Sequence, residues 1–239
     1  MISIIIPTLN EESVLEKTLT SIGRLTLPHE VIVTDGKSKD KTVEIARHCG
    51  ASVVEFAGDH RQTIAEGRND GAKAAKGDFL AYIDADCTIM EPDIFFKKIL
   101  DHFGSDPDLV AVNVAIRVLP GYETWGDWLV FNLFNDYLWF MNNVVGFAMS
   151  AGEFQMMRRT AFDKVNGYDP KLVASEDMDL FARLSKIGKV RYEKGLTIYH
   201  TGRRAHKIGW PKLLSLWIGN SISMMVRRKA IVKVWEPIR

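Results

Sequence analysis

The sequence of 239 residues has little cysteine, almost no net charge and no long uninterrupted apolar run. Its two cysteines, Cys49 and Cys87, form neither a CxxC pair nor a zinc-ligand spacing, which argues against a disulfide scaffold and predicts a reducing, cytoplasmic compartment. The most apolar long stretch, 128–150, contains four asparagines and one aspartate, so it does not predict a membrane-spanning helix. We also expect no signal peptide, because the chain enters an apolar strand without a basic segment before it.

The net charge of +1 conceals an uneven distribution. From Arg203 onward there are nine Lys and Arg residues and one acid, whereas 22 basic and 29 acidic residues precede it. All six tryptophans lie at or after Trp125. The overall charge gives no reason to expect a nucleic-acid partner, and the two parts of the chain are predicted to have different tasks.

Short apolar runs alternate with segments of helical spacing. The predicted strands are 2–6, 30–34, 52–56, 79–83, 109–116, 152–158 and 190–193. The predicted helices are 14–22, one around 43–46, 62–75, 92–103, 122–141, 176–186 and one that begins at Pro211. This alternation indicates βαβ units, and therefore an α/β fold with a doubly wound, mostly parallel, Rossmann-like sheet and helices on both faces. Asn10 is the expected N-cap of the first helix, and Ser38 or Asp40 that of the second.

Three of the predicted strands end in polar segments, namely 7–12 (PTLNEE), 35–38 (DGKS) and 84–86 (DAD). Taken singly, the second segment could be only a turn. Because the carboxyl ends of parallel strands lie along one edge of a sheet, where ligands bind, we expect the three to share a crevice.

Asp84 and Asp86 are the most informative pair in this crevice. Two carboxylates at i and i+2 beyond a buried strand suit one divalent cation, Mn²⁺ or Mg²⁺, which takes oxygen ligands from carboxylates and phosphates. Such an ion offsets the charge of a diphosphate and polarises its leaving oxygen.

Several segments resemble the family-2 inverting glycosyltransferases, which have the GT-A fold. In the order and spacing of that family they are IIPTLNEE, EVIVTDGKSKDKT, GRNDGAKAAKGDFLAYIDAD, FDKVNGYD and SEDMDLFARLSKIGK, between Ile2 and about Gly202. The resemblance, especially to hexosyl- and mannosyltransferases with lipid-linked acceptors, implies a metal-dependent transfer. A hexose would move from a UDP- or GDP-sugar to a lipid-linked acceptor of the polyprenyl phosphate type, or to a glycan.

The same resemblance implies roles for individual residues. The residues implied to bind the nucleotide-sugar are Pro7, Thr8, Leu9, Glu11, Asp35, Arg68 and Asp84. Asp86 would be the direct metal ligand, with Asp84 beside it, and Asp177 would be the general base next to Glu176. The alternative for Glu176 and Asp177 is that Ser175-Glu176-Asp177 only caps a helix.

Three residues before the tail have chemistry that suits the same site. His200 is a hypothetical third metal ligand, since imidazole binds Mn²⁺ well, and a structural, hydrogen-bonded histidine is the alternative. Arg203 and Arg204 have the planar guanidinium that binds phosphates with two hydrogen bonds, and a solvated loop is the alternative for both.

The apolar face of 211–229 carries Trp217 beside Arg227-Arg228-Lys229, which favours peripheral contact with the cytoplasmic face of a membrane. Packing of this segment on the sheet is the alternative. The aromatic segment 125–139 would form a second such surface or pack on the sheet.

The predicted organisation is a nucleotide-sugar-binding half (1–118), an acceptor and catalytic half of the same domain (119–207) and a basic amphipathic tail (208–239). A sugar-1-phosphate nucleotidyltransferase is an alternative, but it would need a glycine-rich loop after the first strand, and 7–12 has no glycine. A membrane- or nucleic-acid-binding module is another, and it leaves the acidic pairs unexplained.

Overall fold

The computed structural model describes residues 1–227, without the side chains of 220–222 and 224–227. The strands are β1 (Ile2–Thr8), β2 (His29–Asp35), β3 (Ser52–Glu55), β4 (Phe79–Ile83), β5 (Cys87–Thr88), β6 (Leu109–Val118), β7 (Phe154–Arg158) and β8 (Lys189–His200). The helices are α1 (Leu15–Ile22), α2 (Thr42–His48), α3 (Ile64–Ala74), α4 (Pro92–Ser105), α5 (Trp125–Phe140), α6 (Arg159–Lys164), α7 (Glu176–Leu184), α8 (Arg203–Ile208) and α9 (Trp210–Arg227). A π-helical turn, Met141–Val145, continues α5.

The strands form one sheet in the order β3-β2-β1-β4-β7-β6-β8-β5. The first four run parallel, β7 is antiparallel to both β4 and β6, β8 is parallel to β6, and β5 is antiparallel to β8 at the edge. The predicted α/β fold with a mostly parallel sheet is therefore confirmed. β8 is longer than the predicted 190–193, because residues 194–196 bulge out of the pairing with β6 and the strand then resumes at Thr197.

Helices cover both faces of the sheet, as its two-sided apolar strands require. In β1, Ile4 and Ile6 belong to the hydrophobic cluster that includes residues of α1, α2 and α4. Ile5 points to the opposite face and packs with residues of α3, α6 and α7. Successive residues of a strand face opposite sides, so this continuous apolar run fills two layers at once.

The sheet opens between β1 and β4 at its carboxyl edge. Pairing of β1 with β2 continues to Thr8 opposite Asp35, whereas pairing of β1 with β4 ends at Ile5 opposite Tyr82. Pro7 has no N–H to donate to a neighbouring strand, which is compatible with this separation. The resulting crevice lies between the segment after β1 and the Asp84–Asp86 turn after β4.

The predicted cap of α1 is wrong. Asn10 has a left-handed backbone (φ 51°), and its side-chain oxygen accepts a hydrogen bond from the Lys39 N–H at 2.6 Å. This contact ties the loop after β1 to the loop after β2, and α1 begins instead at Leu15 with Val14 as N-cap. The predicted cap of α2 is also wrong, because Lys41 is its N-cap and makes no side-chain cap hydrogen bond. Asp40 still accepts from the Thr42 N–H at 3.0 Å, whereas Ser38 is bonded to Asp35.

The C-terminal part adds two helices to this sheet, a short α8 that the sequence did not predict and α9, which begins one residue before the predicted Pro211. Arg228 and Lys229 of the predicted basic cluster lie outside the described residues. Within residues 1–227 no helix has the length and apolar character needed to cross a bilayer.

Candidate active site

A cavity of about 970 Å³ lies at the crevice between β1 and β4. It brings together every predicted site residue except Asp35: Pro7, Thr8, Leu9, Glu11, Arg68, Asp84, Asp86, Glu176, Asp177, His200, Arg203 and Arg204. Residues from both ends of the chain, between 7 and 218, therefore line a single space.

Asp35 lies beneath the wall of this cavity and is 1% exposed. Its carboxylate accepts hydrogen bonds from the Ser38 N–H at 2.8 Å, from the Ser38 hydroxyl and, at 3.3 Å, from the Thr8 hydroxyl. Asp35 thus holds the loop after β2 against the end of β1, while its neighbours Thr34 and Gly36 line the cavity.

Arg68 is the central cation of the site and is 1% exposed. Its Nη1 donates to Glu176 Oε1 at 2.8 Å, and its Nη2 donates to Asp84 Oδ1 at 3.2 Å and to the Gly152 carbonyl at 3.1 Å. The helix that carries it, α3, packs so closely on β1 that a Cβ at Gly71 would clash with Ile5. Arg68 therefore joins the end of β4 to the start of α7 from a fixed position.

Glu176 and Asp177 begin α7, and the Ser175 side chain does not cap this helix. Ser175 has a left-handed backbone (φ 61°) and makes no side-chain cap hydrogen bond. Glu176 is instead buried against Arg68, and Asp177 Oδ1 accepts from the Met178 N–H at 2.8 Å.

Asp177 and Asp84 both lie close to Gly152. A Cβ added at Gly152 would lie 3.6 Å from Asp84 Oδ2 and 3.9 Å from Asp177 Oδ2. The nearest atom to such a Cβ would be Arg68 Nη2, at 3.1 Å. Gly152 therefore leaves room for the Arg68 guanidinium and for two carboxylates, one at the end of β4 and one at the start of α7.

The carboxyls of the site repel one another. Burial, opposed by Arg68, raises the pKa of Asp84 to about 6. Burial and the charge of Glu176 raise the pKa of Asp177 to about 7. Burial and Asp84 raise the pKa of Glu153 to about 8. This excess of negative charge, with hard oxygen atoms, suits a divalent cation.

Glu153 is a site residue that the sequence reasoning missed. It lines the cavity directly before β7, and its carbonyl accepts from the Asp84 N–H at 3.3 Å. The available signal was an acid placed immediately before the segment 154–157 (FQMM) in a predicted strand.

Arg203 closes one side of the cavity by ion pairs to two acids. It contacts Glu11 through both terminal nitrogens, at 2.6 and 3.0 Å, and its Nε lies 3.1 Å from Asp86 Oδ2. The Thr201 hydroxyl donates to the same Asp86 oxygen at 2.6 Å. A cation that binds Asp86 through this oxygen would have to replace those contacts.

His200 ends β8 opposite Cys87 of β5, which brings it next to the Asp84–Asp86 turn. Burial lowers its pKa, so the imidazole is neutral, and its Nδ1 accepts from the Gly202 N–H at 3.3 Å. Its buried Nε2 has no hydrogen-bond partner among residues 1–227. In that same part of the chain no three His, Cys, Asp or Glu side chains form a ready-made metal cluster.

Four rings of α5 and α9 form an apolar lining, which we term the aromatic wall: Phe131, Phe134, Trp210 and Trp217. Their ring centroids are spaced by 5.3 Å (Phe131–Trp210), 5.9 Å (Trp210–Trp217) and 5.4 Å (Phe134–Trp217), and Phe131 also contacts the His200 ring at 5.0 Å. The sequence indicated the two aromatic segments, 125–139 and 211–229, but did not predict that they meet at this cavity.

Comparison with protein families gives one match over most of the chain. The family model described as "Glycosyl transferase family 2" matches residues 3–165. A "PGL/p-HBAD biosynthesis glycosyltransferase" of Mycobacterium tuberculosis is 31% identical over 188 residues, covering 77% of this chain and 69% of the relative. "Succinoglycan biosynthesis protein ExoA" of Rhizobium meliloti is 31% identical over 200 residues, covering 77% of this chain and 58% of the relative.

Solved structures with the same fold include a mannosyltransferase from Pyrobaculum calidifontis in complex with GDP-Man and Mn²⁺, with a TM-score of 0.67 and 17% identity. The match covers 89% of this chain, which spans only 59% of that protein. Another is glucosyl-3-phosphoglycerate synthase from Mycobacterium tuberculosis with Mn²⁺, UDP and its product, with a TM-score of 0.63, 22% identity and coverage of 95% and 79%.

Proposed function

Since the chain belongs to glycosyl transferase family 2 and is therefore a glycosyltransferase, we propose that it moves a hexose from a UDP- or GDP-sugar to a lipid-linked or glycan acceptor with inversion. The observation that carries this proposal is the position of Asp177 and Asp84 beside Gly152, within one cavity. Family membership removes the basis for the nucleotidyltransferase and the binding module.

Residues 1–118 form the donor half in this proposal. Pro7, Thr8, Leu9 and Glu11 bind the nucleoside, with Asp35 holding their loop in place. Arg68 keeps Asp84 oriented and places a positive charge near the diphosphate. Support comes from the crevice between β1 and β4, which these residues line or underlie.

Residues 119–207 supply the base. Asp177 takes the proton from an acceptor hydroxyl, the acceptor oxygen forms a bond to the anomeric carbon, and the bond from that carbon to the diphosphate oxygen breaks with its electron pair. Glu176 fixes Asp177 through its ion pair with Arg68. Arg203 and Arg204 bind the departing phosphates, after Arg203 exchanges Glu11 and Asp86 for them.

The residues at the end of β4 fit a divalent cation, Mn²⁺ or Mg²⁺, of the kind that two structural neighbours contain. Asp86 and Asp84 would hold it, and Mg²⁺ sites commonly use one or two carboxylates with phosphate oxygens completing the shell. His200 Nε2, which has no hydrogen-bond partner among residues 1–227, supports His200 as a third ligand. To bind a cation through Nε2 the neutral imidazole would carry its proton on Nδ1, which could then no longer accept from the Gly202 N–H at 3.3 Å. When bound, the ion would neutralise the leaving diphosphate.

The acceptor assignment is supported by the names of two relatives, one a PGL/p-HBAD biosynthesis glycosyltransferase and the other a succinoglycan biosynthesis protein. Peripheral membrane contact through 208–239 remains part of the proposal. Exposed aromatic side chains on α5, among them Trp125 at 75% and Trp128 at 46% exposure, support lipid contact near the same site.

The donor assignment is testable by thermal unfolding in the presence of Mn²⁺ and a panel of nucleotide-sugars. We expect one donor to raise the Tm, because a ligand at 100 times its Kd adds about 2.7 kcal/mol of stability. For a chain of this size each kcal/mol corresponds to about 2–4 °C. In Asp86→Ala the Mn²⁺-dependent part of that shift should disappear.

The matched control is Asp101→Ala, which removes an exposed acid of α4 and should keep the full shift. If no nucleotide-sugar stabilises the wild-type protein, the proposed function is wrong. If Asp86→Ala keeps the Mn²⁺-dependent shift, the metal assignment fails while the donor assignment survives.

Activity should also depend on pH through Asp177. Only its carboxylate can accept a proton, so kcat/KM should rise about tenfold per pH unit below its pKa and then level off. Burial and Glu176 set that pKa at about 7 without a cation, and a bound cation would lower the midpoint because it favours the carboxylate. A pH–rate profile at fixed Mn²⁺ checks this, and activity that falls over this range as the pH rises would contradict it.

A further inference from the structure

The cavity extends well beyond the predicted donor residues. At about 970 Å³ it is near the upper end of the range of about 300–1,000 Å³ that is usual for ligand pockets. Part of its lining comes from α5 and α9, through the aromatic wall and the side chains of Tyr137, Leu214 and Ile218. We refer to this part as the apolar arm.

The inner end of the apolar arm lies beside the proposed base. Met178, the residue directly after Asp177, lines the cavity and packs in the same hydrophobic cluster as Phe134 and Leu138 of α5. A single ligand could therefore hold its apolar group against α5 and place its hydroxyl at Asp177.

The outer end opens to solvent between the two helices. Tyr137 of α5 and Ile218 of α9 both line the cavity, yet they are 44% and 57% exposed. Exposed residues that also form the wall of a cavity mark its mouth. A chain longer than the arm can leave the protein there.

The α5 side of the apolar arm offers no positive charge that could bind an anionic group. There is no Lys or Arg between Arg117 and Arg158. The two acids of α5 are already paired, Asp127 with His206 and Trp210, and Asp136 with Lys194. A hydrocarbon or aryl group therefore suits this surface, and free sugars do not, since they would leave their hydroxyls without partners.

We propose that the apolar arm binds the alkyl or aryl portion of an amphiphilic acceptor and thereby presents the acceptor hydroxyl to Asp177. This inference rests on the proposed function, because it takes Asp177 as the base. It goes further in that the acceptor is recognised by its apolar portion and not by a glycan chain.

The test uses the full chain and a series of hexyl, heptyl and octyl β-D-glucosides below their micelle concentrations. Trp210 and Trp217 line the cavity, so binding is followed by tryptophan fluorescence. Burial of each added methylene should lower Kd about fourfold. A Kd that does not change with chain length would overturn the proposal.

Variants at the mouth provide the second measurement. Ile218→Glu and Tyr137→Glu change exposed side chains, so they should fold, and each should weaken octyl glucoside binding at least about tenfold, since a charge would face the chain. The control is Leu133→Glu, because Leu133 is 63% exposed on the same helix but does not line the cavity. Equal binding by all three variants would overturn the proposal.

Two further readouts separate this inference from its alternatives. If sedimentation shows a dimer that octyl glucoside dissociates, the arm is an interface between two copies and the proposal is wrong. Donor binding is measured in the same variants by the thermal shift with Mn²⁺. If a donor binds normally and chain length has no effect, only the apolar arm fails; if no donor binds, the proposed function itself fails.

Discussion

Asp177→Asn is expected to lower kcat by about 10²- to 10⁴-fold, the usual contribution of a general base. The amide has the same shape and its oxygen can still accept the Met178 N–H, which Asp177 Oδ1 accepts at 2.8 Å. It cannot take a proton from the acceptor. Since the donor residues are unaffected, the KM for the nucleotide-sugar should change little, which is the signature of an interaction made only in the transition state.

Asp179→Asn is the matched control for this variant. Asp179 lies two residues further along α7, pairs with Arg183 at 2.7 Å and does not line the cavity. Release of the nucleoside diphosphate is measured for both variants, together with their Tm. If Asp177→Asn keeps more than a tenth of the wild-type kcat while Asp179→Asn is normal, Asp177 is not the base for that acceptor.

Asp177→Asn also distinguishes two kinds of acceptor. A hydroxyl must lose its proton during the reaction, whereas an acceptor phosphate is already ionised at neutral pH. A large loss in kcat therefore indicates a hydroxyl acceptor. A small loss, with donor binding intact, indicates a phosphate as the nucleophile.

The strand-end residues could be predicted because a parallel sheet fixes where they go. Thr8, Asp35 and Asp84 each follow or end an apolar run, and parallel pairing places such ends at one edge. The length of β8 could not be predicted, since a bulge at residues 194–196 interrupts the alternation on which a strand prediction depends.

Local sequence patterns could not predict contacts between residues far apart in the chain. Arg203 binds Glu11 from 192 residues away, and nothing near either residue indicates this pairing. Glu153 lines the cavity directly before β7, where the sequence pattern indicates only a buried strand. Asn10 appeared to be a cap because local hydrogen bonding favours that role, but its bond to the Lys39 backbone prevails.

The uneven charge of the sequence also acquires a structural meaning. Arg203, the first of the nine Lys and Arg residues in the C-terminal part of the chain, contacts Glu11 and Asp86 of the preceding part, in which acids outnumber bases. The part of the chain with excess positive charge therefore reaches the cavity in which carboxyls are in excess. A donor diphosphate with its cation would compete for both partners, so donor binding is expected to rearrange this corner of the site.

Arg68→Met is expected to lower the free energy of unfolding by about 3–5 kcal/mol, the usual cost of leaving buried charges without their partner. Arg68 is 1% exposed and carries the hydrogen bonds to Glu176, Asp84 and the Gly152 carbonyl. Methionine fills much of the same space but neutralises neither carboxylate. Urea unfolding of both proteins measures the difference.

Arg47→Met is the control that separates burial from pairing. Arg47 contacts Glu55 at 2.6 Å, but both side chains are more than half exposed, and a surface pair contributes only about 0–1 kcal/mol. Equal losses in Arg47→Met and Arg68→Met would contradict the structural role of Arg68. The double variant Arg68→Met/Glu176→Gln replaces one of the two unpaired carboxylates by a neutral amide. If the loss of stability comes from the unpaired carboxylates and not from missing arginine packing, part of the lost stability should return in this variant.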